Sequence, residues 1–386
     1  MRVEETAVVV VGAGVAGLTV ASLLRRAGVD CVVVERRTRE RVEARQRAGV
    51  LDFAAERVFV EAGLGAVVEG FGRAGVVEFR VDGVPRVFDA ARYGPVGVLM
   101  PQQVLVRRLL ARFLADGGDV RFGVADVALH GLEERPWVTY GGGGVRVDAR
   151  YVAGCDGARG VGRAAAVAAG ATVHRFADEV GWITVSTGSP PPARPVIAVS
   201  RLGFAAHFGR GGAASRFYLE CAPGEDLAAW DDERVWRELR ARLADPGLVG
   251  GPVVEKAVID AHSFVLEPMS RGRLFLVGDA AHVVPPMGGK GMNLAVADAG
   301  VLARALVAAV LEGDEGPSRE YSDTCLRRVW TDQEFSRWMT EMVFHGSAEA
   351  TAGPFRHRVA RARLDRLFTS RAAAESFAHL MAGTDG

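Results

Sequence analysis

The sequence of 386 residues has no excess of charge, and it is poor in lysine and cysteine. Lysine plus arginine and aspartate plus glutamate number 47 each, so the formal net charge is zero. A chain-wide basic surface for nucleic acid or anionic lipid is therefore absent. The four cysteines are far apart and form no CxxC pair, which favours buried thiols in a reduced, cytoplasmic protein.

Targeting, membrane and metal signals are also missing. The first residues are charged and lead directly into a strand pattern, unlike a signal peptide. The longest apolar helix candidate, around residues 301–311, carries Arg304 and is too short to span a bilayer. The eight histidines show no HExxH motif and no paired spacing, so no metal site is predicted. A cytoplasmic globular chain without a membrane or nucleic-acid partner is expected.

A complete βαβ unit opens the chain. A β-branched strand at Ala7–Val11 is followed by the run Gly12-Ala-Gly-Val-Ala-Gly17, a helix, and a second strand that ends in Glu35. The glycines allow a tight turn, close approach of the backbone to a pyrophosphate, and close packing of helix on strand. Glu35 is placed to bind the ribose hydroxyls of an adenosine. The unit predicts dinucleotide binding, although Glu35 alone does not distinguish FAD from NAD.

A second motif follows a predicted strand at Arg273–Val277. Asp279 at the end of that strand can bind a ribityl hydroxyl, and the glycines of segment 288–291 allow the backbone to approach an isoalloxazine ring. A helix starting near Met292 would point its positive end at the flavin pyrimidine. The stretch from Gly272 to Asn293 resembles the second FAD fingerprint of flavin-dependent aromatic hydroxylases, and an ordinary glycine-rich turn does not explain so long a match. The resemblance therefore favours FAD over NAD.

The two motifs together resemble the flavin-dependent aromatic hydroxylases, the group A FAD monooxygenases. Residues 45–51, 151–157, 272–293 and 321–330 look most like the 4-hydroxybenzoate 3-monooxygenase members, at a spacing that fits the whole chain. The resemblance implies an α/β fold with an antiparallel sheet and C-terminal helices. It places a Rossmann-like FAD-binding domain at residues 1–72, 97–175 and 257–312, an inserted substrate-binding sheet domain at 73–96 and 176–256, and a helical region at 313–386.

The resemblance also assigns the cofactor contacts. Arg47 is expected to pair with an FAD phosphate. Asp156 lies in a run that resembles the family's DG motif, and a simple Asp-Gly turn is the alternative. The full set of expected FAD-binding residues is Gly12, Gly14, Ala16, Gly17, Glu35, Arg36, Arg45, Arg47, Gln102, Asp156, Asp279, Gly288, Gly289, Met292 and Asn293.

An arginine cluster marks the expected nicotinamide site. The family's specificity segment corresponds to residues 36–43, which hold four arginines, and these favour the extra phosphate of NADPH over NADH. A solvated helix face is the alternative. Arg159 occupies a position where the family usually has histidine. The expected nicotinamide-binding residues are Arg36, Arg37, Arg41, Arg159 and His262.

The resemblance places an aromatic acid beside the flavin. Arg210 corresponds to the arginine that grips the substrate carboxylate, with a structural salt bridge as its alternative role, and Tyr218 to a tyrosine beside it. Pro286 and Arg216 are the expected catalytic-site residues, since the carbonyl of Pro286 would face the substrate and Arg216 would help to hold the flavin ring. Ile197 and Phe208 complete the expected substrate pocket.

Several positions depart from the family pattern. The relay that deprotonates the substrate phenol uses two tyrosines and a histidine, and here Ile197, Met381 and Arg73 stand in their places. Phe208 replaces a serine that helps to bind the carboxylate. None of these substitutes relays a proton at neutral pH in the same way. A more apolar pocket and a substrate that needs no ionised phenol are expected.

The predicted function is therefore an FAD- and NADPH-dependent monooxygenase that inserts one atom of dioxygen into an aromatic carboxylic acid other than 4-hydroxybenzoate. An epoxidase or N-hydroxylase acting on a larger acid, such as a prenylated one, is the first alternative. A flavin-binding ligand sensor without turnover is a more remote one. Relatives of this type are often dimers, and a homodimer is left open.

Overall fold

The computed structural model describes residues 1–44, 49–210, 214–343 and 353–384. Within these ranges the strands, in chain order, are β1 (Arg2–Val11), β2 (Cys31–Glu35), β3 (Arg73–Ala74), β4 (Val76–Val81), β5 (Val84–Asp89), β6 (Gly97–Val98), β7 (Asp119–Phe122), β8 (Ala128–His130), β9 (Trp137–Tyr140), β10 (Val145–Gly154), β11 (Thr172–Thr187), β12 (Val196–Ser200), β13 (Gly203–Gly209), β14 (Ser215–Cys221), β15 (Val253–Glu267), β16 (Ser270–Arg271), β17 (Leu274–Leu276) and β18 (His282–Val283). The helices are α1 (Val15–Arg26), α2 (Arg39–Ala44), α3 (Phe53–Glu61), α4 (Gln102–Ala115), α5 (Val161–Ala168), α6 (Asp232–Arg242), α7 (Gly291–Val307), α8 (Gly316–Val343), α9 (Gly353–Thr369) and α10 (Arg371–Ala382).

The first sheet has the order β16-β17-β10-β1-β2-β7, with β8 and β9 attached beside β10. Strands β17, β10, β1, β2 and β7 run parallel, as expected of a sheet covered by helices. Residues Val8–Val11 are buried in its centre, and α1 packs against α4 and α7. The sheet confirms the βαβ prediction, and β1 starts earlier than expected because residues 2–6 also pair with β10.

The second sheet has the order β18-β15-β11-β14-β13-β12-β4-β5. Its neighbours are antiparallel except for β4 and β12, which pair in parallel. That exception departs from a purely antiparallel expectation because β4 comes from an earlier part of the chain and no hairpin joins it to β12. One face of this sheet packs against α8, α9 and α10, and the other face against α6.

Helix α7 is longer than the sequence analysis predicted. It continues through a π-helical turn at Ala308–Glu312, so the combined segment from Gly291 is long and apolar enough to cross a membrane by length and composition. Buried positions account for 67% of its most apolar window, which is the behaviour of a core helix. Helices α1, α3 and α8 pack around it.

The two sheets meet in the segment that precedes α7. Strand β17 ends the parallel part of the first sheet, a 3₁₀ turn follows at Gly278–Ala280, and β18 then pairs with β15 in the second sheet. The predicted second FAD motif therefore connects the dinucleotide-type sheet with the inserted sheet.

Candidate active site

The loop between β1 and α1 approaches its neighbours closely enough to require glycine. Gly12 has φ +108°, and a Cβ there would lie 2.5 Å from the carbonyl oxygen of Cys155. A Cβ at Gly17 would lie 1.8 Å from the carbonyl oxygen of Gly12. Gly14 instead faces open space, and as N-cap of α1 it leaves the first N–H groups of the helix without a side-chain cap. The loop can therefore receive a phosphate. Ala16 is buried in the first turn of α1.

Glu35 joins the ends of β1 and β2. The backbone N–H of Ala13 donates to one carboxylate oxygen at 2.8 Å, and the N–H of Arg37 donates to the other at 2.8 Å. The carboxylate is thus held at the carboxyl edge of the first sheet, beside the phosphate loop. This is the position that adenosine recognition requires.

Asp156 follows β10 at the same edge. Its Oδ2 accepts a hydrogen bond from the N–H of Gly162 at 3.0 Å, and a Cβ at Gly160 would lie 2.0 Å from its carboxyl carbon. Burial raises the pKa of Asp156, although backbone N–H donors and Arg36 oppose the rise. Its Oδ1 is buried and has no hydrogen-bond partner among the described residues. Asp156 therefore holds the start of α5 and keeps one oxygen for a ligand.

The loop before α7 combines a half-buried acid with open helix N–H groups. Asp279 lies in the Gly278–Ala280 turn, and Pro286 is exposed at the start of a second 3₁₀ turn that ends at Gly288. A Cβ at Gly288 would lie 2.5 Å from Ser336 Oγ, and Gly289 has φ +66°. Helix α7 then begins without a side-chain cap. Its N-terminus can stabilise negative charge on a bound ligand.

The side chains of Met292 and Asn293 contact other parts of the protein. Met292 packs against the core of the first sheet. Asn293 Oδ1 accepts from the N–H of Asp52 at 2.9 Å, and its Nδ2 donates to the carbonyl oxygens of Val50 and Gly289. Both residues were predicted to bind FAD, and what they can offer it is their backbone at the start of α7.

Lys290 forms a buried cluster beneath this loop. It is 1% exposed, and its Nζ lies 3.1 Å from Asp52 Oδ2 and 3.6 Å from Asp332 Oδ1. Burial raises the pKa of both carboxyl groups, that of Asp332 to about 6, although Lys290 opposes the rise. Nζ also donates to the carbonyl oxygen of Met381 at 3.4 Å. The sequence analysis missed this cluster, although Lys290 is one of only two lysines in the chain.

The expected substrate residues share one face of the second sheet. Ile197 and Tyr218 both pair with Ala206, and Phe208 pairs with Arg216 in the adjacent row. These side chains point toward the helices of the C-terminal region, and Met287, next to Pro286, packs against the same cluster. The structure thus brings the expected substrate residues next to the loop before α7.

A polar patch interrupts this face. Nη2 of Arg210 donates to the hydroxyl of Tyr218 at 3.5 Å, and the Arg216 guanidinium lies 5.6 Å from the centre of the Tyr218 ring. Burial lowers the pKa of Arg210, and the nearby charge of Arg216 lowers it further, while Tyr218 opposes the change. Arg216 Nε is buried without a hydrogen-bond partner among the described residues. Two half-buried cations side by side favour an anionic ligand.

Two residues in the places of the lost proton relay have different surroundings. Met381 packs against the apolar cluster between the second sheet and helices α8, α9 and α10, which we call the substrate-side cluster. Arg73 lies at the surface, where it pairs with Glu56 at 2.6 Å. Of the five tyrosines in the chain, Tyr218 and Tyr93 pack against the substrate-side cluster, and Tyr93 stacks on Phe88. The other three are Tyr140, Tyr151 and Tyr321, which belong to the first core.

Aromatic packing adds a residue that the sequence analysis did not single out. Trp182 lies on β11 and contacts Tyr218 edge to face, at 5.9 Å between ring centres. Phe208 contacts the same ring edge to face at 5.7 Å. The alternation of side chains along β11 places Trp182 on this face, and the pairing of β11 with β14 brings it to Tyr218. That pairing is not evident from a single sequence.

The expected nicotinamide residues come from several elements of the fold. Arg36 is exposed at the end of β2, Arg159 is exposed three residues after Asp156, and His262 is exposed on β15. The guanidinium of Arg163 stacks on Phe264 at 3.9 Å, which brings α5 beside β15. Arg37 is half-buried and Arg41 is exposed on α2.

Three further residues, Gln102, Arg45 and Arg47, were predicted to bind FAD. Gln102 is the half-buried first residue of α4. Arg45 and Arg47 lie outside the described residues. In the described ranges, no three His, Cys, Asp or Glu side chains gather where they could hold a metal ion.

The residues present fit FAD. The uncapped N-termini of α1 and α7 suit the pyrophosphate and the flavin, and Glu35 lies where a ribose would bind. The buried Oδ1 of Asp156, which has no partner among the described residues, can accept a hydrogen bond from a hydroxyl group of FAD.

Comparison with known proteins agrees with this geometry. The family described as "FAD binding domain" matches residues 5–336. The chain is 33% identical to the p-hydroxybenzoate hydroxylase of Acinetobacter baylyi over 398 aligned positions, which cover 99% of this chain and 96% of that protein. It is also 33% identical to 3-amino-4-hydroxybenzoate 2-monooxygenase PtmB3 of Streptomyces platensis, with 83% of this chain and 84% of that protein covered.

Solved structures show the same fold. The crystal structure of p-nitrophenol 4-monooxygenase PnpA from Pseudomonas putida superimposes with a TM-score of 0.84 at 21% identity, over 100% of this chain and 99% of that one. Aklavinone-11 hydroxylase in complex with FAD and aklavinone gives a TM-score of 0.74 at 24% identity, over 91% of this chain and 72% of that one.

Proposed function

The chain belongs to the FAD-binding-domain family and is a flavin-dependent aromatic monooxygenase, and from this premise we propose that it oxygenates an aromatic carboxylic acid other than 4-hydroxybenzoate. The proposed electron donor is NADPH, and the proposed location is the cytoplasm. Bound FAD supplies electron transfer from the nicotinamide and oxygen transfer from dioxygen to the ring.

The observation that carries the proposed substrate class is the setting of Arg210. Its guanidinium lies beside the Tyr218 hydroxyl at 3.5 Å and near Arg216, in a polar patch on a sheet face that also presents apolar side chains such as Ile197 and Phe208. An arginine in such surroundings binds a carboxylate strongly, because the pair is shielded from water. Arg210 would therefore hold the acid group of the substrate and orient its ring toward the loop before α7.

Other residues of the chain bind, orient and exclude water. The half-buried Arg216 would keep the carboxylate end of the substrate site positive. The exposed Pro286 lies in the loop before α7, next to Met287, which packs on the substrate side of the second sheet. Ile197, Phe208 and Met381 belong to the apolar cluster beside this polar patch. Water exclusion protects a reactive oxygen donor from wasteful breakdown.

The same apolar residues support a substrate without an ionised phenol. Neither Ile197 nor Met381 can accept a proton, and Arg73 is taken up by a surface pair with Glu56. An amino-substituted ring is electron-rich at neutral pH even when no phenol is ionised, and the relative PtmB3 is named for a benzoate that carries both an amino and a hydroxyl group. Epoxidation or N-hydroxylation of a larger acid is the second candidate, favoured by the added apolar volume of Phe208 at this face.

The test measures substrate-dependent NADPH oxidation and product formation by the purified holoenzyme. Aromatic acids, including amino- and prenyl-substituted benzoates and 4-hydroxybenzoate, are compared with their amides, and ¹⁸O₂ labelling with mass spectrometry locates the new oxygen. Arg210→Ala should weaken binding of the acids by ~10-fold to 100-fold and leave the amides nearly unchanged. Arg201→Ala, at the exposed turn after β12, is the matched control.

Each result has a defined meaning. Equal losses for acids and amides would overturn the carboxylate anchor. Efficient, coupled hydroxylation of 4-hydroxybenzoate would overturn the proposed substrate class. Oxygen found on a side-chain alkene or on nitrogen would select the second candidate over ring hydroxylation.

A further inference from the structure

A second buried acid–base pair lies between α7 and the turn that carries Asp279. Asp298 on α7 and His282 on β18 are each 1% exposed, and His282 Nε2 lies 2.7 Å from Asp298 Oδ2. The same oxygen accepts a hydrogen bond from the N–H of Gly278 at 3.1 Å. One carboxylate oxygen therefore holds both ends of the five-residue segment 278–282.

The groups around this pair close it off from solvent. Burial disfavours the charged imidazole, yet the Asp298 carboxylate raises the pKa of His282 above its ordinary value, with Asp279 and Asp332 adding to the effect. From α8, the Cys325 thiol faces Asp298, and the Tyr321 hydroxyl donates to the carbonyl oxygen of Leu276 at 2.7 Å.

The energetic cost of this arrangement calls for an explanation. Burying a hydrogen-bonded charge pair is often no more stabilising than burying apolar side chains of the same size. The turn it holds is constrained as well, since Gly278 has φ +61° and a Cβ there would lie 2.8 Å from the Cβ of Ala295 on α7. The pair thus fixes the orientation of the Asp279 turn relative to the N-terminus of α7, at the point where the two sheets meet.

We propose that Asp298 and His282 are positioning residues for FAD, which hold Asp279 and the N-terminus of α7 in the relative orientation that the cofactor needs. The inference rests on FAD binding by this family and not on the substrate class proposed above. A failure of the Arg210 test would therefore leave it standing. Neither residue is expected to touch the substrate.

The test is FAD affinity and the absorption spectrum of the bound flavin, measured apart from turnover. Apoprotein is titrated with FAD, and the quenching of flavin fluorescence gives Kd. Asp298→Ala should weaken FAD binding by ~10-fold to 100-fold, because the Gly278 N–H and His282 both lose the oxygen that holds them. Asp298→Asn keeps the shape and an acceptor oxygen, and should recover most of the affinity while still altering the flavin spectrum.

His207→Asn is the matched control for a buried histidine. His207 is 6% exposed and lies 2.9 Å from Ser215 Oγ, on the face of the second sheet that packs against α6. The His207→Asn substitution should lower the unfolding temperature and leave the Kd for FAD within about twofold of that of the unaltered protein. If Asp298→Ala fails to fold, His282→Gln provides the same measurement with a smaller change. Unchanged Kd and spectrum in the folded Asp298 and His282 variants would overturn the proposal.

Discussion

Asp332 is a buried carboxyl group whose removal should stabilise the protein near neutral pH. It is 6% exposed on α8, with its Oδ1 3.6 Å from Lys290 Nζ. Burial raises the pKa of Asp332 from 3.8 to about 6, and Asp52 contributes to the rise, while Lys290 and Arg328 oppose it. The folded protein therefore keeps a proton on Asp332 at pH values where the unfolded chain has lost it.

The size and sign of the effect follow from this difference. Because the folded state binds the proton more tightly, the free energy of unfolding falls as the pH rises from about 4 to about 7. At ~1.4 kcal/mol per pKa unit, a rise from 3.8 to about 6 corresponds to ~3 kcal/mol of stability lost above pH 7. Roughly half of that loss falls between pH 5 and pH 8. Asp332→Asn removes the ionisation and preserves the shape of the side chain.

The assay is urea unfolding of the holoprotein from pH 5 to pH 8, followed by tryptophan fluorescence at saturating FAD. The stability of Asp332→Asn relative to the unaltered protein should increase steadily across this range. Asp323→Asn, at an exposed position on the same helix, should show a difference that does not change with pH. An equal loss of stability in Asp332→Asn at pH 5 and pH 8 would refute the reasoning, since it would mean that the carboxyl contributes nothing through its ionisation.

Two further predictions concern cofactor binding. Gly17→Ala places a Cβ 1.8 Å from the carbonyl oxygen of Gly12, so it should lower FAD affinity at least ~10-fold in a fluorescence titration. Gly72→Ala is the control, because Gly72 has open space around it and the substitution should leave FAD affinity unchanged. Unaltered affinity in Gly17→Ala would contradict the close packing of the loop. The double variant Arg37→Ala/Arg41→Ala should raise the KM for NADPH ~10-fold or more and change the KM for NADH much less, and equal increases would count against recognition of the extra phosphate.

The local parts of the site could be predicted from the sequence because their residues are neighbours along the chain. Gly12 and Gly17 act on the same turn, and Glu35 follows one helix later at the adjacent strand end. The spacing alone fixes their relation, since parallel strands end at a common edge. The substrate residues depended on the family resemblance, and pairing across β12, β13 and β14 then explains why they share a face.

The buried charged groups could not be predicted in this way because their partners lie in other secondary-structure elements, and how those elements pack is not evident from the sequence. Lys290 and Asp52 are 238 residues apart, and His282 and Asp298 lie in different elements of different layers. A hydrophobicity pattern indicates that α7 and α8 have apolar faces, but it does not indicate which charged side chains of these helices contact each other or other elements. The direction of the Asn293 side chain is lost for the same reason, because its partners Val50 and Asp52 belong to the loop before α3.

This division of the site separates cofactor binding from substrate choice. The first sheet and the Gly278–Asn293 segment hold the groups that fit FAD, whereas Arg210, Tyr218 and the apolar side chains lie on strands of the second sheet. The two sets meet where β18 pairs with β15, where Met287 packs on the substrate side, and where Lys290 Nζ donates to the carbonyl oxygen of Met381. Substitutions such as those at Ile197 and Phe208 can therefore change which aromatic substrate is bound without disturbing the phosphate loop or the start of α7. For that reason the altered pocket argues for a different substrate rather than for the loss of activity.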